Sequence, residues 1–329
     1  MADEAFEFLL NGRRARNPRL RMKGGRKSQL TSLVRKAPEV MVKVSGGGTT
    51  IKHVFDHMQY ITRNGELDAV TDRDEKVGSK EELKDLLDSW DMELQRGQGK
   101  LKQAFNIVLS MPAGTPPEKL LDAAKGFARE EFAGQHHYMM VLHTPERDPH
   151  KDAPPHPHVH LVVKAENFEG KRLYIRKATL EKWRFDFAEQ LRDRGIEANA
   201  TPREVRGQTR KQKVPGVYFA EKRGRSTVDA EKRKEVSQEL LSGKPQEKPW
   251  EKAILEKRKK LVSSLLEVAK GLEKEGDREL AGEVVKYAKE LPALTTERRE
   301  MQKQLVSEID KHRTKQTDKE KTFKEDKER

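Results

Sequence analysis

The fold prediction depends on the stretch His-Pro-His-Val-His-Leu-Val-Val at residues 156–163. Alternate side chains of a β-strand share a face, so His158 and His160 project together while Val159 and Leu161 face the opposite side. The apolar residues that end the stretch anchor such a strand in a core. The stretch therefore predicts a rigid core strand that carries two imidazoles side by side.

Apolar runs typical of strands flank this stretch, and amphipathic runs with helical spacing lie between them. The predicted strands are 40–44, 104–111, 138–143, 158–165 and 172–175. The predicted helices are 49–63, 79–94, 116–132 and 179–194. Because strands and helices mix without strict alternation, we expect an α+β fold with a central antiparallel sheet flanked by helices, followed by a helical C-terminal extension.

Composition indicates further segments around this core. The chain has 329 residues, of which 37% are charged and 34% hydrophobic, so a core cannot run through all of it. Residues 1–38 are rich in arginine and lysine and predict a flexible basic arm. Residues 216–313 predict a charged helical region with a helical hairpin, and the polar residues 314–329 predict a disordered tail.

The net charge of +13 favours polyanionic partners, of which nucleic acid is the commonest and an anionic membrane surface the alternative. The chain has no cysteine, which excludes disulfides, thiolate metal sites and cysteine nucleophiles. No apolar stretch approaches the roughly 20 residues of a membrane span. We expect a soluble protein that begins in the cytoplasm.

Two neutral imidazoles on one face suit a divalent metal ion, which needs at least a third ligand. His143 ends the predicted strand before the pair, and His150 and His156 are the alternative ligands. Three histidines without cysteine leave coordination positions open for water or phosphate oxygens, which favours a catalytic over a structural site. Surface histidines in a Pro-rich loop are the competing interpretation.

Tyr60 lies late in the first predicted helix, just before Asn64-Gly65. A tyrosine hydroxyl has a pKa of about 10, so it becomes a nucleophile only where a nearby cation favours the phenolate. Arg63 or a bound metal ion would supply that charge. A core tyrosine on an amphipathic helix is the alternative interpretation.

Three motifs in order resemble the relaxases of plasmid conjugation, and most closely the subgroup of T-DNA border endonucleases. They are Val-Ser-Gly-Gly-Gly-Thr-Thr at 44–50, His-Met-Gln-Tyr-Ile-Thr-Arg-Asn-Gly-Glu-Leu at 57–67, and Pro-His-Val-His-Leu-Val-Val at 157–163. The resemblance runs from about 39 to 210 and includes Ser-Met-Pro-Ala-Gly-Thr at 110–115. Each motif alone is moderately specific, and their ordered combination is strong.

The resemblance implies that 39–215 is a relaxase nuclease domain of the histidine-hydrophobe-histidine class. It implies that Tyr60 attacks a phosphodiester at an origin of transfer, which gives a 5′-phosphotyrosyl adduct and a free 3′-hydroxyl. The metal triad maps onto His143, His158 and His160, with Mg²⁺ or Mn²⁺ the expected ion and another transition ion the alternative.

Further expectations follow from the same resemblance. The substrate would be single-stranded and double-stranded origin DNA, and the partners would be relaxosome accessory proteins and the coupling protein of a type IV secretion system. The adduct would leave the donor cytoplasm for a recipient cell. Basic groups around the cleft would hold unpaired DNA, the candidates being Arg63, Arg172, Arg176, Arg203 and Arg206.

One departure from the family concerns the loop 144–157, which is longer than the family's usual loop between the first histidine and the pair. An acid follows the first histidine closely in the family, where it orients a ligand or accepts the tyrosine proton. Glu146, Asp148 and Asp152 are candidates here, and Asp148 is preferred.

Rival functions remain open at this point. A rolling-circle replication initiator or a transposase would use the same histidines and tyrosine, although initiators often carry two tyrosines in the active helix. A non-catalytic DNA-binding accessory protein is a rival of another class. A hydrolytic zinc enzyme is a third, and it has no clear general-base motif here.

Overall fold

The computed structural model describes residues 2–11, 25–92, 101–147, 154–208, 213, 215–243 and 248–325. The chain divides into two compact units. The sheet unit is Arg16–Thr201, and the helical unit is Met1–Ala15 together with Pro202–Arg329.

Eleven helices and six strands lie within the described residues. In chain order they are α1 (Ala2–Asn11), α2 (Gly25–Val34), β1 (Met41–Gly46), α3 (Ile51–Ile61), β2 (Ala69–Thr71), β3 (Lys76–Val77), α4 (Lys80–Ser89), β4 (Ala104–Ser110), α5 (Pro117–Phe132), β5 (Tyr138–His143), β6 (His158–Lys164), α6 (Lys177–Arg192), α7 (Pro215–Lys222), α8 (Thr227–Ser242), α9 (Pro249–Lys274), α10 (Arg278–Lys289) and α11 (Glu297–Glu325).

The sheet unit is built on one six-stranded sheet with the order β1-β4-β6-β5-β2-β3. Every neighbouring pair is antiparallel. The predicted α+β fold with a central antiparallel sheet, flanking helices and a helical C-terminal region is confirmed. β6 lies between β4 and β5, so the histidine strand is in the interior of the sheet.

Apolar side chains cover both faces of this sheet. On one face, residues from α5 and α6 such as Phe127 and Trp183 pack against Val159 and Leu161 of β6. On the other face, the core formed by α3 and α4 meets β6 at Val162. Strand alternation places His158 and His160 on the α3 side, as Val162 is. The sheet therefore presents both histidines to the helix that carries Tyr60.

Two details of the predicted sheet differ from the structure. Residues 172–175 do not form a strand of the sheet; Arg172 makes an isolated bridge with Glu166. β2 and β3, which contain three and two residues, were not predicted because so short a run shows no period. The capping box of α4 is confirmed, since Ser79 and Glu82 each accept from the other's backbone N–H.

The helical unit contains the predicted hairpin, formed by α9 and α10. Leu261 and Leu265 of α9 and Leu280 and Val284 of α10 are buried. The side chain of Asp277 caps the N-terminus of α10 by accepting a hydrogen bond from the backbone N–H of Leu280. α1 packs against α9.

The two terminal segments contain more helix than the sequence predicts. α1 and α2 lie within 1–38, the predicted flexible arm, and residues 12–24 of it are outside the described residues. α11 extends to Glu325, into the predicted disordered tail. α1 and α2 bury apolar side chains such as Leu9 and Leu30, which the basic composition of the segment hides, and the closely spaced opposite charges of α11 favour a helix there. No helix in the described ranges combines the length and apolar character that a membrane crossing requires.

Candidate active site

The three predicted metal ligands lie together at one end of β5 and β6. β5 ends at His143 and β6 begins at His158, and the register makes these two residues direct partners. The ring centroids are 5.2 Å apart for His143 and His158, 4.7 Å for His143 and His160, and 5.2 Å for His158 and His160. One ligand atom of each residue lies within 4.8 Å of the others, which suits a single metal ion.

Backbone carbonyls orient two of these rings. Nε2 of His143 lies 2.7 Å from the carbonyl oxygen of Ile61, and Nδ1 of His158 lies 3.2 Å from that of His156. A carbonyl oxygen can only accept, so each of these nitrogens carries the hydrogen. The atoms that could bind a metal ion are then Nδ1 of His143 and Nε2 of His158.

His160 is held in its neutral form. Its pKa is lowered to about 3, chiefly by burial and then by the neighbouring His143, His158 and His57 in that order. A neutral imidazole keeps the lone pair that binds a metal ion. The group is therefore ready to act as a ligand at any pH near neutrality.

Asn106 of β4 lies beside Nδ1 of His160. Its Nδ2 is 3.5 Å from Nδ1 of His160 and close to Oγ of Ser45, while its buried Oδ1 has no hydrogen-bond partner among the described residues. A half-turn of the amide exchanges its nitrogen and oxygen. Oδ1 would then accept from Nδ1–H of His160 and leave Nε2 of that ring as the ligand atom.

Tyr60 lies on the same side of the sheet as the triad. It is 66% exposed near the end of α3. Its ring is stacked at 6.5 Å on His57, whose ring is in turn 6.4 Å from that of His160. One imidazole thus separates the candidate nucleophile from the candidate metal site. The carbonyl that orients His143 belongs to Ile61, the next residue after Tyr60, so one hydrogen bond connects this helix end to a ligand.

His57 is the unusual residue in this group. It lies one turn before Tyr60 on α3, and its Nε2 is shielded from solvent without a hydrogen-bond partner among the described residues. A buried polar atom left unsatisfied costs about 1–3 kcal/mol. No hydrogen bond within the described part of the chain offsets this cost at Nε2 of His57.

The turn after α3 is strained. Arg63 and Asn64 have φ angles of 51° and 55°, in the left-handed region that non-glycine residues seldom adopt. Gly65 follows at φ 100°, where an added Cβ would lie 2.6 Å from the carbonyl oxygen of Gly78. The chain therefore reverses sharply just beyond Tyr60, and such strain is common beside functional groups.

Of the three candidate acids, Glu146 alone lies within the described residues. Asp148, Asp152 and the alternative ligand His150 lie outside the described residues. Glu146 is exposed in a short 3₁₀ turn. His156 is half-buried with its ring 6.1 Å from that of His158, and the group able to hold a metal ion contains His143 instead.

Two of the five candidate DNA-binding arginines, Arg63 and Arg172, belong to loops of the sheet unit. Arg63 is half-buried in the turn after Tyr60. The guanidinium of Arg172 donates to the carbonyl oxygen of Lys102 and lies 3.9 Å from a carboxylate oxygen of Glu166. Arg172 therefore also stabilises the loop around it.

Of the remaining three arginines, one contacts an exposed tyrosine and two belong to the other unit. The guanidinium of Arg176 lies 5.1 Å from the ring centroid of Tyr174, which is 75% exposed. Arg203 and Arg206 belong to the helical unit.

The sequence interpretation missed His57 and Asn106. The sequence contains a signal for each. His57 is three residues before Tyr60 and so shares its helix face, and Asn106 is a polar residue in an otherwise apolar strand. Neither signal identifies the strand neighbour or the ring contact, which require the register of the sheet.

The donor set fits a divalent metal ion. Three imidazoles converge, a neighbouring imidazole nitrogen is buried without a partner, and His160 is neutral. A histidine cluster able to hold a metal ion on an antiparallel sheet, faced by an exposed tyrosine on a flanking helix, resembles the histidine-hydrophobe-histidine class of endonucleases.

Comparison with known proteins gives the same class. Residues 60–196 match the family model described as relaxase, MobA/VirD2-like, nuclease domain. The chain is also 26% identical over 210 residues to the T-DNA border endonuclease VirD2 of Rhizobium radiobacter, an alignment that covers 57% of this chain and 46% of that protein. The predicted resemblance to relaxases of the VirD2 subgroup is confirmed.

The chain spans about half the length of the curated relative that it matches. The family match begins at Tyr60 and includes all three triad histidines. Both matches are to DNA-cutting enzymes, which agrees with the predicted enzyme class.

Proposed function

We propose that this protein is a metal-dependent DNA relaxase that nicks one strand at the origin of transfer of a plasmid or other mobile element. The observation that carries the proposal is the exposed Tyr60 one imidazole away from the cluster His143, His158 and His160. The family match and the VirD2 relative support the same reaction class.

In the proposed reaction the Tyr60 hydroxyl oxygen attacks the phosphorus of a phosphodiester. The new bond is Tyr60 O–P, and the bond that breaks joins phosphorus to the 3′ oxygen, which leaves and takes up a proton as the phenol loses one. The protein keeps the 5′ phosphate, and because one phosphate diester replaces another, the same site can reverse the step and rejoin the strand. No water is consumed.

The chain's own residues supply the positioning. His143, His158 and His160 would hold Mg²⁺ or Mn²⁺, which neutralises charge on the non-bridging phosphate oxygens when bound. The bond from His143 to the carbonyl of Ile61 holds the end of α3 against this cluster. Tyr60 then approaches the phosphate from a fixed helix rather than from a loop.

The wider role is also part of the proposal. The nuclease domain would be 39–215, with Arg63, Arg172, Arg176, Arg203 and Arg206 holding DNA and Asp148 receiving the tyrosine proton. Relaxosome accessory proteins and a type IV coupling protein would be partners. The protein would act in the donor cytoplasm and enter the recipient with the DNA.

Mass spectrometry of a protein–DNA adduct tests the reaction. The full chain is incubated with Mn²⁺ and tiled single-stranded oligonucleotides from its own mobile element. A 5′-linked adduct on Tyr60 is expected, and it should disappear in Tyr60→Phe but persist in Tyr218→Phe, which changes an exposed tyrosine of the helical unit.

Three outcomes would contradict the proposal in different ways. An adduct formed by Tyr60→Phe would refute the nucleophile. DNA binding without any cutting or joining would indicate the accessory-protein rival, and cleavage at a replication origin would indicate the initiator.

A further inference from the structure

His57 lies on the path between the two groups that the proposed reaction must bring together. Its ring is 6.5 Å from that of Tyr60 on one side and 6.4 Å from that of His160 on the other. Helical spacing turns His57 and Tyr60 to one side of α3, while Val54, Met58 and Ile61 are the buried residues of that helix. His57 therefore does not serve the core packing of α3.

The unsatisfied nitrogen of His57 needs an acceptor or donor that the described residues do not supply. Buried imidazole nitrogens in stable folds are hydrogen-bonded, as His136 is to the carbonyl oxygen of Lys164 at 2.9 Å. Nε2 of His57 has no such bond. Its partner therefore lies outside the described residues, and we take it to be a group that enters the site.

Direct metal ligation does not fit the spacing. The triad rings are 4.7–5.2 Å apart, and their ligand atoms lie within 4.8 Å of one another, whereas His57 is not in that group and its ring is 6.4 Å from His160. The longer separation places His57 beside the triad rather than within it. A phosphate transferred to Tyr60 must place an oxygen in this region.

We propose that His57 is a further catalytic residue, whose Nε2–H donates a hydrogen bond to a non-bridging oxygen of the phosphate held at the triad. The inference rests on the proposed function, since it takes the phosphodiester as the incoming group. The hydrogen bond fixes the phosphate beside Tyr60, and His57 takes no part in metal binding.

Binding of inorganic phosphate to the Mn²⁺-loaded full chain tests this role without any turnover. Mn²⁺ affinity is measured first by calorimetry, and phosphate affinity is then measured from the ³¹P relaxation that the bound Mn²⁺ causes. His57→Leu should keep Mn²⁺ affinity within about twofold but weaken phosphate binding about tenfold, the loss of one hydrogen bond to a charged group. His57→Gln, which restores an N–H donor, should recover most of that loss.

His53 provides the matched control because it is an exposed histidine on the same helix, one turn earlier. His53→Leu should leave both affinities unchanged. The unfolding temperature of the metal-free protein adds a readout for a structural role: His57→Leu should be at least as stable as the wild type, since it removes an unsatisfied polar atom.

Each other result overturns the inference. Unchanged phosphate affinity in His57→Leu refutes the contact and leaves the proposed function standing. A loss of Mn²⁺ affinity in that variant shows a direct ligand instead, and a marked loss of stability shows a structural residue. A wild-type protein that binds no Mn²⁺ overturns both this inference and the proposed metal-dependent function.

Discussion

In the sheet unit, buried polar side chains gather around the histidine cluster, whereas charged side chains in the helical unit pair close to its surface. Thr62, Asn106, Ser110, His143 and His158 are all buried, and Ser110 pairs with His158 in the sheet register. In an apolar core such groups are costly unless each finds a partner. These residues lie on β4, β5, β6 and at the end of α3, and their grouping around the cluster indicates a site rather than a means of holding the fold together.

The helical unit shows the opposite arrangement. Its buried residues are largely apolar, as on the facing stripes of α9 and α10. Its charges form partly exposed pairs, such as Lys232 with Glu297 at 2.9 Å and Arg233 with Asp229 at 2.9 Å. The comparison teaches that polar side chains buried together in the sheet unit indicate a site, whereas the partly exposed ion pairs of the helical unit contribute only a small stabilisation.

Removal of two triad imidazoles should have the largest effect. His158→Ala together with His160→Ala leaves one imidazole, too few to hold a divalent ion against water. Mn²⁺ binding, measured by calorimetry, should be lost. The exposed His53→Ala serves as the control and should bind Mn²⁺ normally. Undiminished binding in the double variant would refute the ligand assignment.

The aromatic core of the sheet unit should give the largest effect on stability. Phe127 is fully buried, with edge contacts to Phe132, Trp183 and Phe187 at centroid distances of 6.0–6.2 Å. Phe127→Ala should lower the free energy of unfolding by about 3–5 kcal/mol, because it leaves a cavity. Phe219→Ala in the helical unit, where the ring is 42% exposed, should change it by less than about 0.5 kcal/mol. Urea unfolding measures both variants. Similar losses of unfolding free energy in Phe127→Ala and Phe219→Ala would contradict the expected difference between a buried and an exposed ring.

Much of the sheet could be predicted because its strands and helices have clear periods. The alternation in 158–165 predicted β6 and the shared face of His158 and His160, and the end of β5 at His143 was predicted to the residue. β2 and β3 were missed because two or three residues carry no period. The segment 172–175 was predicted as a strand, yet only one bridge forms there.

The interior of the site was less accessible from the sequence. Tyr60 and the triad were proposed from motifs, but the residues between them depend on long-range contacts. Asn106 meets His160 only because β4 and β6 are neighbours in one register, and His57 meets it only because α3 packs on that face. No local pattern encodes such contacts, so these two residues were found only in the structure.

Asn106 should have an intermediate effect on metal binding. Asn106→Leu keeps the branched shape of the side chain but removes the amide oxygen that, after a half-turn of the amide, would accept from Nδ1–H of His160. Mn²⁺ affinity should fall about 10–100-fold, the usual cost of losing a partner behind a ligand. Thr71→Val is the control, since Thr71 is also buried but its hydroxyl bonds to the backbone N–H groups of Arg73 and Glu75. An unchanged dissociation constant in Asn106→Leu would show that the amide does not orient the ring.

The ion pair between Lys232 and Glu297 should have the smallest effect. Lys232→Met should cost no more than about 1 kcal/mol of unfolding free energy at pH 7, because both side chains are more than a third exposed. The hydrogen bond from Lys232 lowers the pKa of Glu297 below its ordinary 4.5, so the pair stabilises the fold above that pH. Its contribution should disappear as pH falls through the lowered value or as salt approaches about 1 M. Urea unfolding at several pH values measures the difference in unfolding free energy between wild type and variant. If that difference persists in acid and in salt, the methylene stem of Lys232, rather than its charge, stabilises the helical unit.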